Sequence, residues 1–332
     1  MSAAAAGRWA IGIDLGGTKT EAILLDAAGG ERWRQRIATA AGSYAGVLDG
    51  IAQLVAGARA QLPAGAAASV GIGGPGALTQ DQRLKNANTT LLNGQPIAAD
   101  LGRRLGQPVV YANDANCLAL SEATDGAGRG AAVVFAAILG TGCGAGIAVQ
   151  GQVLTGPNRL AGEWGHNPLP WAEAEVDGPP PACYCGRSGC IEAWLSGPAI
   201  SADHQRRHGS TLSAAAIALA ADGGDAGDAQ CRDSLARWQQ RLARALASVI
   251  NLLDPDVIVL GGGLSRIAST YAVVPSLWPQ WVLSGGVREP VRTRLLPALH
   301  GDASGVRGAA WLGRSSDYLS ASEPDHGSAA DP

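Results

Sequence analysis

The chain has 332 residues, more than one ordinary hydrophobic core accommodates, and so predicts two domains. Apolar residues make up 46%, ample for two cores, and 25 basic against 28 acidic residues leave a net charge of −3. With no block of like charge, a nucleic-acid or polyanion partner has no electrostatic support. The opening "MSAAAAGRWAIGID" lacks the basic-then-apolar pattern of a signal peptide. No apolar run approaches the roughly 20 residues that span a bilayer. A cytoplasmic protein without a membrane partner is expected. Its last residues, 315–332, are small and polar, and are expected to form a disordered tail.

Residues 9–26, "WAIGIDLGGTKTEAILLD", predict two strands around a glycine turn: Ile11, Ile13 and Leu15 alternate on one arm, Ala22 and Leu24 on the other. A helix is predicted over about 44–62, where Val47, Leu48, Ile51, Leu54 and Val55 form one apolar stripe. "SVGIGGPG" (69–76) and "PVVYAND" (108–114) read as further strands, the latter followed by a helical "ANCLALSEA". At 132–148 the opening pattern returns as strand, glycine turn, strand, which reads as a domain-scale duplication. A long helix over 226–253 should stop before Asp254-Pro255, where proline blocks continuation. "DVIVLGGGLS" (256–265) is a buried strand entering a glycine turn, and 305–313 a closing helix. Alternating strands and helices give an α/β class.

Three stretches carry chemistry. In "DLGGTKT", glycines let backbone N–H groups approach an anion, and Thr18 and Lys19 add donors. A plain hairpin turn explains one such pair equally well, but "GTG" (140–142) and "GGG" (261–263) add two more glycine clusters at strand ends, where α/β sheets bind ligands. Asp114 follows a strand and precedes a helix, so it reads either as a helix cap or as a proton acceptor. "CYCGRSGC" (183–190) holds three of the six cysteines. A reducing compartment argues against a disulfide, and three thiols with intervening glycines suit metal ligation or free thiols better than a single nucleophile. Cys117, Cys143 and Cys231 read as packing residues.

"IGIDLGGTKTEAILLD", "GTGCGAG", "GEWGH", "CYCGRSGC" and "DPDVIVLGGGLS", in this order, resemble the ROK family of bacterial sugar kinases and repressors over about residues 9–312. "KNANTTLLNGQPIAADL", "YANDANCLALSEA", "AGEWGHNPLPW" and "HGDASGVRGAAWL" resemble its fructokinase (mannofructokinase) branch more than its glucokinase or N-acetylglucosamine kinase branches. The resemblance implies a two-domain, actin-like (ribonuclease H-like) ATPase fold with a small zinc-binding loop. The small domain would take 1–120 with a C-terminal helix at about 300–314, and the large domain 121–299.

It also implies roles. Asp14, Gly16, Gly17, Thr18 and Lys19 would face the ATP phosphates, with Asp14 near Mg²⁺. Gly140, Thr141 and Gly142 would form a second phosphate loop, and Gly261, Gly262 and Gly263 would flank the adenosine. Asp114 would be the general base on the sugar hydroxyl, with Asn113, Glu163, His166, Glu192, Asn86 and Asn88 around the sugar. His166, Cys183, Cys185 and Cys190 would hold a structural Zn²⁺, His166 turning its second ring nitrogen to the sugar. Metal loss is then expected to loosen the sugar site and leave phosphate contacts intact. The implied reaction is phosphorylation of fructose at its 6-hydroxyl by ATP, in a homodimer, with mannose, glucose or N-acetylglucosamine as alternative acceptors. A sugar-responsive repressor is the lesser alternative, since only about ten residues precede "IGIDLGG".

Overall fold

The computed structural model describes residues 8–222, 227–283 and 289–314. The expected tail at 315–332 and the start of the long helix at 226 lie outside the described residues. The chain divides into two compact units. One runs up to Cys117 and resumes at Gly305; the other is Leu118–Ser304.

The first unit opens with β1 (Trp9–Leu15), β2 (Lys19–Leu25) and β3 (Glu31–Ala38). α1 (Tyr44–Arg59) and β4 (Ala68–Gly74) follow. A two-residue ladder pairs β5 (Ala77–Leu78) with β6 (Leu84–Lys85), and α2 (Ile97–Leu105) and β7 (Val109–Asn113) complete the run. The sheet order is β3-β2-β1-β4-β7. β1 pairs antiparallel with β2, Ile13 opposite Ala22, and parallel with β4. The predicted alternation sets one face: Ile11, Ile13, Leu15, Ala22 and Leu24 pack with Ile51, Leu54 and Leu101 in a single core. α1 ends at Arg59, three residues short of the expected 62, and its first turn is capped by Ser43, whose hydroxyl accepts from the Gly46 N–H. The other sheet face meets α10 (Ser304–Arg314). A β-carbon on Gly12 or Gly71 would collide with the Val306 or Ala309 carbonyl, so these mid-strand glycines let a helix lie directly on the sheet.

α3 (Asp114–Thr124) contains the division between the units. In the second unit β8 (Val133–Leu139), β9 (Cys143–Val149) and β10 (Gln152–Val153) form the hairpin side of a sheet. The connecting segment carries α4 (Ala174–Asp177), α5 (Ile191–Leu195), α6 (Gly197–His208), α7 (Ala214–Ala221) and α8 (Ala229–Leu253). β11 (Val257–Gly261), α9 (Thr270–Leu277) and β12 (Arg294–Pro297) finish the unit. The sheet order, β10-β9-β8-β11-β12, repeats that of the first unit. Phe135, Ala137, Leu139, Ile258 and Leu260 face α8, whereas Val134, Ala136, Val257 and Val259 face α3, as period-two alternation requires. α8 begins after its cap Asp228 and ends at Asp254, in the left-handed region with φ 48°.

Beneath α8 lies a buried ion cluster. Asp177 accepts from Arg241 (3.0 Å) and Arg244 (2.7 Å), and Asp203 accepts from Arg206 and Arg241 and pairs with Arg237. Burial raises the Asp177 pKa, but hydrogen bonds from Arg244, the Glu173 N–H and Arg241 outweigh it and hold the carboxyl below its usual range. The cluster pins α4, the element that leads into the cysteine loop, to α8. No helix among the described residues is long and apolar enough to cross a membrane.

Candidate active site and metal centre

In the first unit the predicted phosphate turn and Asp114, the expected general base, share the carboxyl end of the parallel strands. Asp14 on β1 pairs in register with Gly73, and Gly74 with Asn113. The turn after β1 is closed by a Gly16 N–H bond to the Lys19 carbonyl (3.0 Å). Thr39, at the end of β3, braces it: its N–H reaches the Thr18 carbonyl and its hydroxyl donates to the Gly16 carbonyl at 2.8 Å. Gly17, Thr18 and Lys19 are exposed at the tip.

Burial pushes the Asp14 carboxyl up to about 6, reinforced by the negative charges of Asp114 and Glu21. Three carboxylates therefore crowd this strand edge. One of them is neutralised: Glu21 accepts two bonds from Arg34 and two more from Arg36. Burial raises its pKa, but the bonds from the two arginines outweigh that and hold it low. Lys19 and Arg36 offset part of the charge around Asp14, and a divalent ion bound with phosphates would offset more.

The helix-cap role considered for Asp114 is shared with its neighbour. Asn113 accepts from the Ala115 N–H (2.9 Å) and donates to the Gly76 carbonyl (3.0 Å), tying α3 to the loop after β4. Asp114 is exposed, one oxygen 2.8 Å from the Ala115 N–H. Asn86, at φ 60°, and Asn88 are also exposed. Their loop is held by Asn93, which grips both the N–H and the carbonyl of Ala87. A β-carbon on Gly17 would come within 3.3 Å of the Thr89 hydroxyl, so this asparagine loop lies beside the phosphate turn. Thr39 carries no motif that sequence reasoning could have used, and Asn93 lies within "KNANTTLLNGQPIAADL" without having been given a role.

In the second unit His166, Cys183, Cys185 and Cys190 converge: one ligand atom from each lies within 4.8 Å of all the others. Cys183 Sγ is 3.6 Å from His166 Nδ1, and Cys185 Sγ is 3.6 Å from Cys190 Sγ. A tetrahedral zinc with ~2.3 Å bonds to sulfur needs edges of about 3.8 Å, so the donors fit the ion. Local structure explains the convergence. Buried Trp164 anchors its turn edge-on against Phe135, with centroids 5.7 Å apart, and so presents His166. The Leu169 N–H bond to the Gly189 carbonyl (2.9 Å) joins that turn to the cysteine loop. The Cys185 thiol is drawn down to about 6, chiefly by the Arg187 N–H, whereas burial pushes Cys190 up to about 12. A bound cation would favour the thiolate at both.

The second ring nitrogen of His166 is 2.9 Å from the Tyr184 hydroxyl, and the two rings meet edge-to-face. This is the nitrogen expected to turn toward the sugar, and here it meets the Tyr184 hydroxyl. Tyr184, between two ligands and 82% exposed, is a residue sequence reasoning passed over; its position inside "CYC" was the available signal. Glu192 is not simply a wall of the pocket either: its Oε2 accepts from the Cys143 N–H at 2.9 Å. Glu163 is exposed beside Trp164.

Gly140, Thr141 and Gly263 line one pocket of about 820 Å³ with Gly197, Ala214 and Ala218, a size suited to a nucleotide. The other predicted loop glycines have other surroundings. Gly261 packs on Leu118, Gly262 turns at φ 81° against the Leu139 carbonyl, and Gly142 faces the Glu192 carboxylate. Cys117, Cys143 and Cys231 are buried, as expected of packing residues.

Residues 10–316 match the ROK family. The chain belongs to the ROK family. An N-acetyl-D-glucosamine kinase of Pectobacterium carotovorum is 39% identical over 307 residues, covering 91% of this chain and 97% of the relative. The crystal structure of a ROK hexokinase from Thermus thermophilus superposes with a TM-score of 0.77 at 28% identity, covering 92% of this chain and 97% of the other. A ROK glucokinase from Streptomyces griseus, solved with glucose and AMPPNP, gives a TM-score of 0.72 at 28% identity over 92% of this chain and 98% of the other. The protein is thus a ROK sugar kinase with the family's actin-like ATPase fold. None of these three relatives is named a fructokinase, the branch the motifs had suggested.

Proposed function

We propose that the protein transfers the γ-phosphoryl group of ATP to the 6-hydroxyl of a hexose or N-acetylhexosamine, with Asp114 as general base. The observation that carries this reading is the pairing of Asp114 with Asp14 at one strand edge, next to the glycine turn and its Lys19. Asp114 accepts the proton from the sugar hydroxyl as the phosphoryl group moves. Gly16, Gly17 and Thr18, with Gly140 and Thr141, offer N–H and hydroxyl donors to the phosphates, and Lys19 adds charge. Mg²⁺ neutralises phosphate charge when bound, with Asp14 as its protein anchor. Asn113, Asn86, Asn88, Glu163, His166 and Glu192 are the sugar-facing candidates. His166, Cys183, Cys185 and Cys190 hold Zn²⁺ in a structural role, because four protein donors complete its coordination.

Between acceptors, N-acetyl-D-glucosamine is favoured by the 39% identical relative that covers nearly the whole chain. Fructose is the second reading, supported by the "KNANTTLLNGQPIAADL" and "AGEWGHNPLPW" stretches. A coupled ADP-release assay over hexoses and N-acetylhexosamines tests both. The expected outcome is saturable turnover with one of the two as the best acceptor. No turnover with any sugar in the panel, or undiminished turnover in Asp114→Asn, overturns the proposal. The homodimer suggested by family resemblance is checked by light scattering of the purified protein.

A further inference from the structure

The cysteine loop does more than end at the metal cluster. Its last ligand, Cys190, is the residue immediately before α5, and α5 leads straight to the second glycine loop. Two hydrogen bonds make the connection. Glu192 Oε2, in the first turn of α5, accepts from the Cys143 N–H at 2.9 Å. The Gly197 N–H, just beyond the helix, donates to the Gly140 carbonyl at 2.7 Å. Between these anchors lies the tip Gly140-Thr141-Gly142, itself closed by the Gly140 N–H bond to the Gly142 carbonyl (3.0 Å).

The fit is close. A β-carbon on Gly142 would stand 2.5 Å from Glu192 Oε2, so the loop can bear no side chain there while the carboxylate is in position. The ligand-bearing turn touches the same place from the other side, because Gly165, beside His166, packs against the Cys143 carbonyl. α5 is fixed at its far end by buried Trp194, whose ring lies 4.6 Å from the Arg241 guanidinium, and by the Trp238 indole, which donates to the Leu195 carbonyl at 3.0 Å. Gly140, Thr141 and Gly197 line the 820 Å³ pocket. A continuous set of contacts thus runs from the Cys/His cluster to the pocket wall.

We infer that Glu192 and α5 form a brace that holds the Gly140–Cys143 loop in its phosphate-binding shape, so that nucleotide affinity depends on the cluster being held together. This rests on the reading of Gly140–Gly142 as a phosphate loop. Glu192 is here a positioning residue: it acts through the Cys143 N–H, and the expectation that metal loss spares the phosphate contacts is reversed.

The test measures binding of AMPPNP with Mg²⁺ by calorimetry, without sugar, so that it does not depend on turnover. Glu192→Ala removes the acceptor and is expected to weaken nucleotide binding about tenfold, the effect of one charge-assisted hydrogen bond. Glu192→Gln keeps an oxygen for the Cys143 N–H and is expected to restore affinity to within about threefold of the parent. Protein stripped of metal, freed of chelator by dialysis and assayed with the same Mg²⁺ should match the alanine variant. Thermal unfolding confirms that each variant is folded. Thr141→Val tests the underlying reading separately: if it binds nucleotide normally, Gly140–Gly142 is not a phosphate loop. If Thr141→Val binds weakly while Glu192→Ala and stripped protein bind like the parent, the phosphate loop stands and the brace is overturned. A glutamine variant as weak as the alanine variant also overturns it, because charge and not the hydrogen bond would then be the cause.

Discussion

The two glycine-tipped hairpins, β1–β2 and β8–β9, begin sheets of the same strand order, yet they are held in different ways. The first tip is braced locally, by Thr39 at the end of the adjoining strand. The second is braced from a distance, by Glu192, 49 residues further on and tied to the Cys/His cluster. The strands before the tips differ as well. β1 carries Asp14 one residue from its end, where β8 carries Ile138. A duplicated framework thus carries different surroundings: clustered carboxylates beside the first tip, and a pocket and the Cys/His cluster beside the second. What the difference teaches is that like topology supplies like loop positions, and that side chains recruited from outside each hairpin decide what the loops do.

If the chemistry resides in the first unit, Asp114→Asn should lower turnover by about a thousandfold, within the range of general-base losses, and shift the melting temperature by no more than roughly 2 °C. ADP release and thermal unfolding together check this. A variant that unfolds instead would make Asp114 a structural residue and erase the contrast.

The second unit should fail through stability. Arg241 is 2% exposed and binds both Asp177 and Asp203. Arg241→Ala leaves two buried carboxylates short of a partner and is expected to cost about 3–5 kcal/mol, read as a drop of roughly 10 °C in melting temperature. A change under roughly 2 °C would show that the neighbouring arginines suffice.

Cys185→Ser should lower the bound zinc, measured by elemental analysis of the purified protein, from one per chain to well below half. The accompanying loss of thermal stability should be smaller than for Arg241→Ala. Full zinc in the serine variant would place the site elsewhere.

The smallest effect sharpens the contrast from the first unit. Burial and neighbouring charge raise the Asp14 pKa to about 6. Its folded-state value lies above the unfolded one, so the stability this carboxyl contributes is complete below about pH 4 and is lost as pH rises through about 6. Without nucleotide and Mg²⁺, Asp14→Asn should match the parent near pH 4 and exceed it at pH 7 by at most about 3 kcal/mol in urea unfolding. Equal stability at both pH values would show that the carboxyl is not strained in the free protein.

Much of the framework was legible in the chain itself. The period-two runs around Gly16-Gly17 and Gly140–Gly142, the stripe of α1 and the stop of α8 at Asp254-Pro255 depend on residues close in sequence. So do the three thiols of 183–190, whose crowding pointed to a metal before any fold was known. Family resemblance named His166 as the fourth member of that set, and the tertiary structure brings it there; only the tertiary structure decided that Asn113 shares the capping of α3 with Asp114, and that Thr39, Asn93, Tyr184 and the Arg34–Glu21–Arg36 clamp shape the sites. It also showed Glu192, expected beside the sugar, bonded to the second glycine loop. Periodicity and turn chemistry act through near neighbours and leave a mark on the sequence. A hydrogen bond across 49 positions leaves none, because chain packing alone brings its partners together.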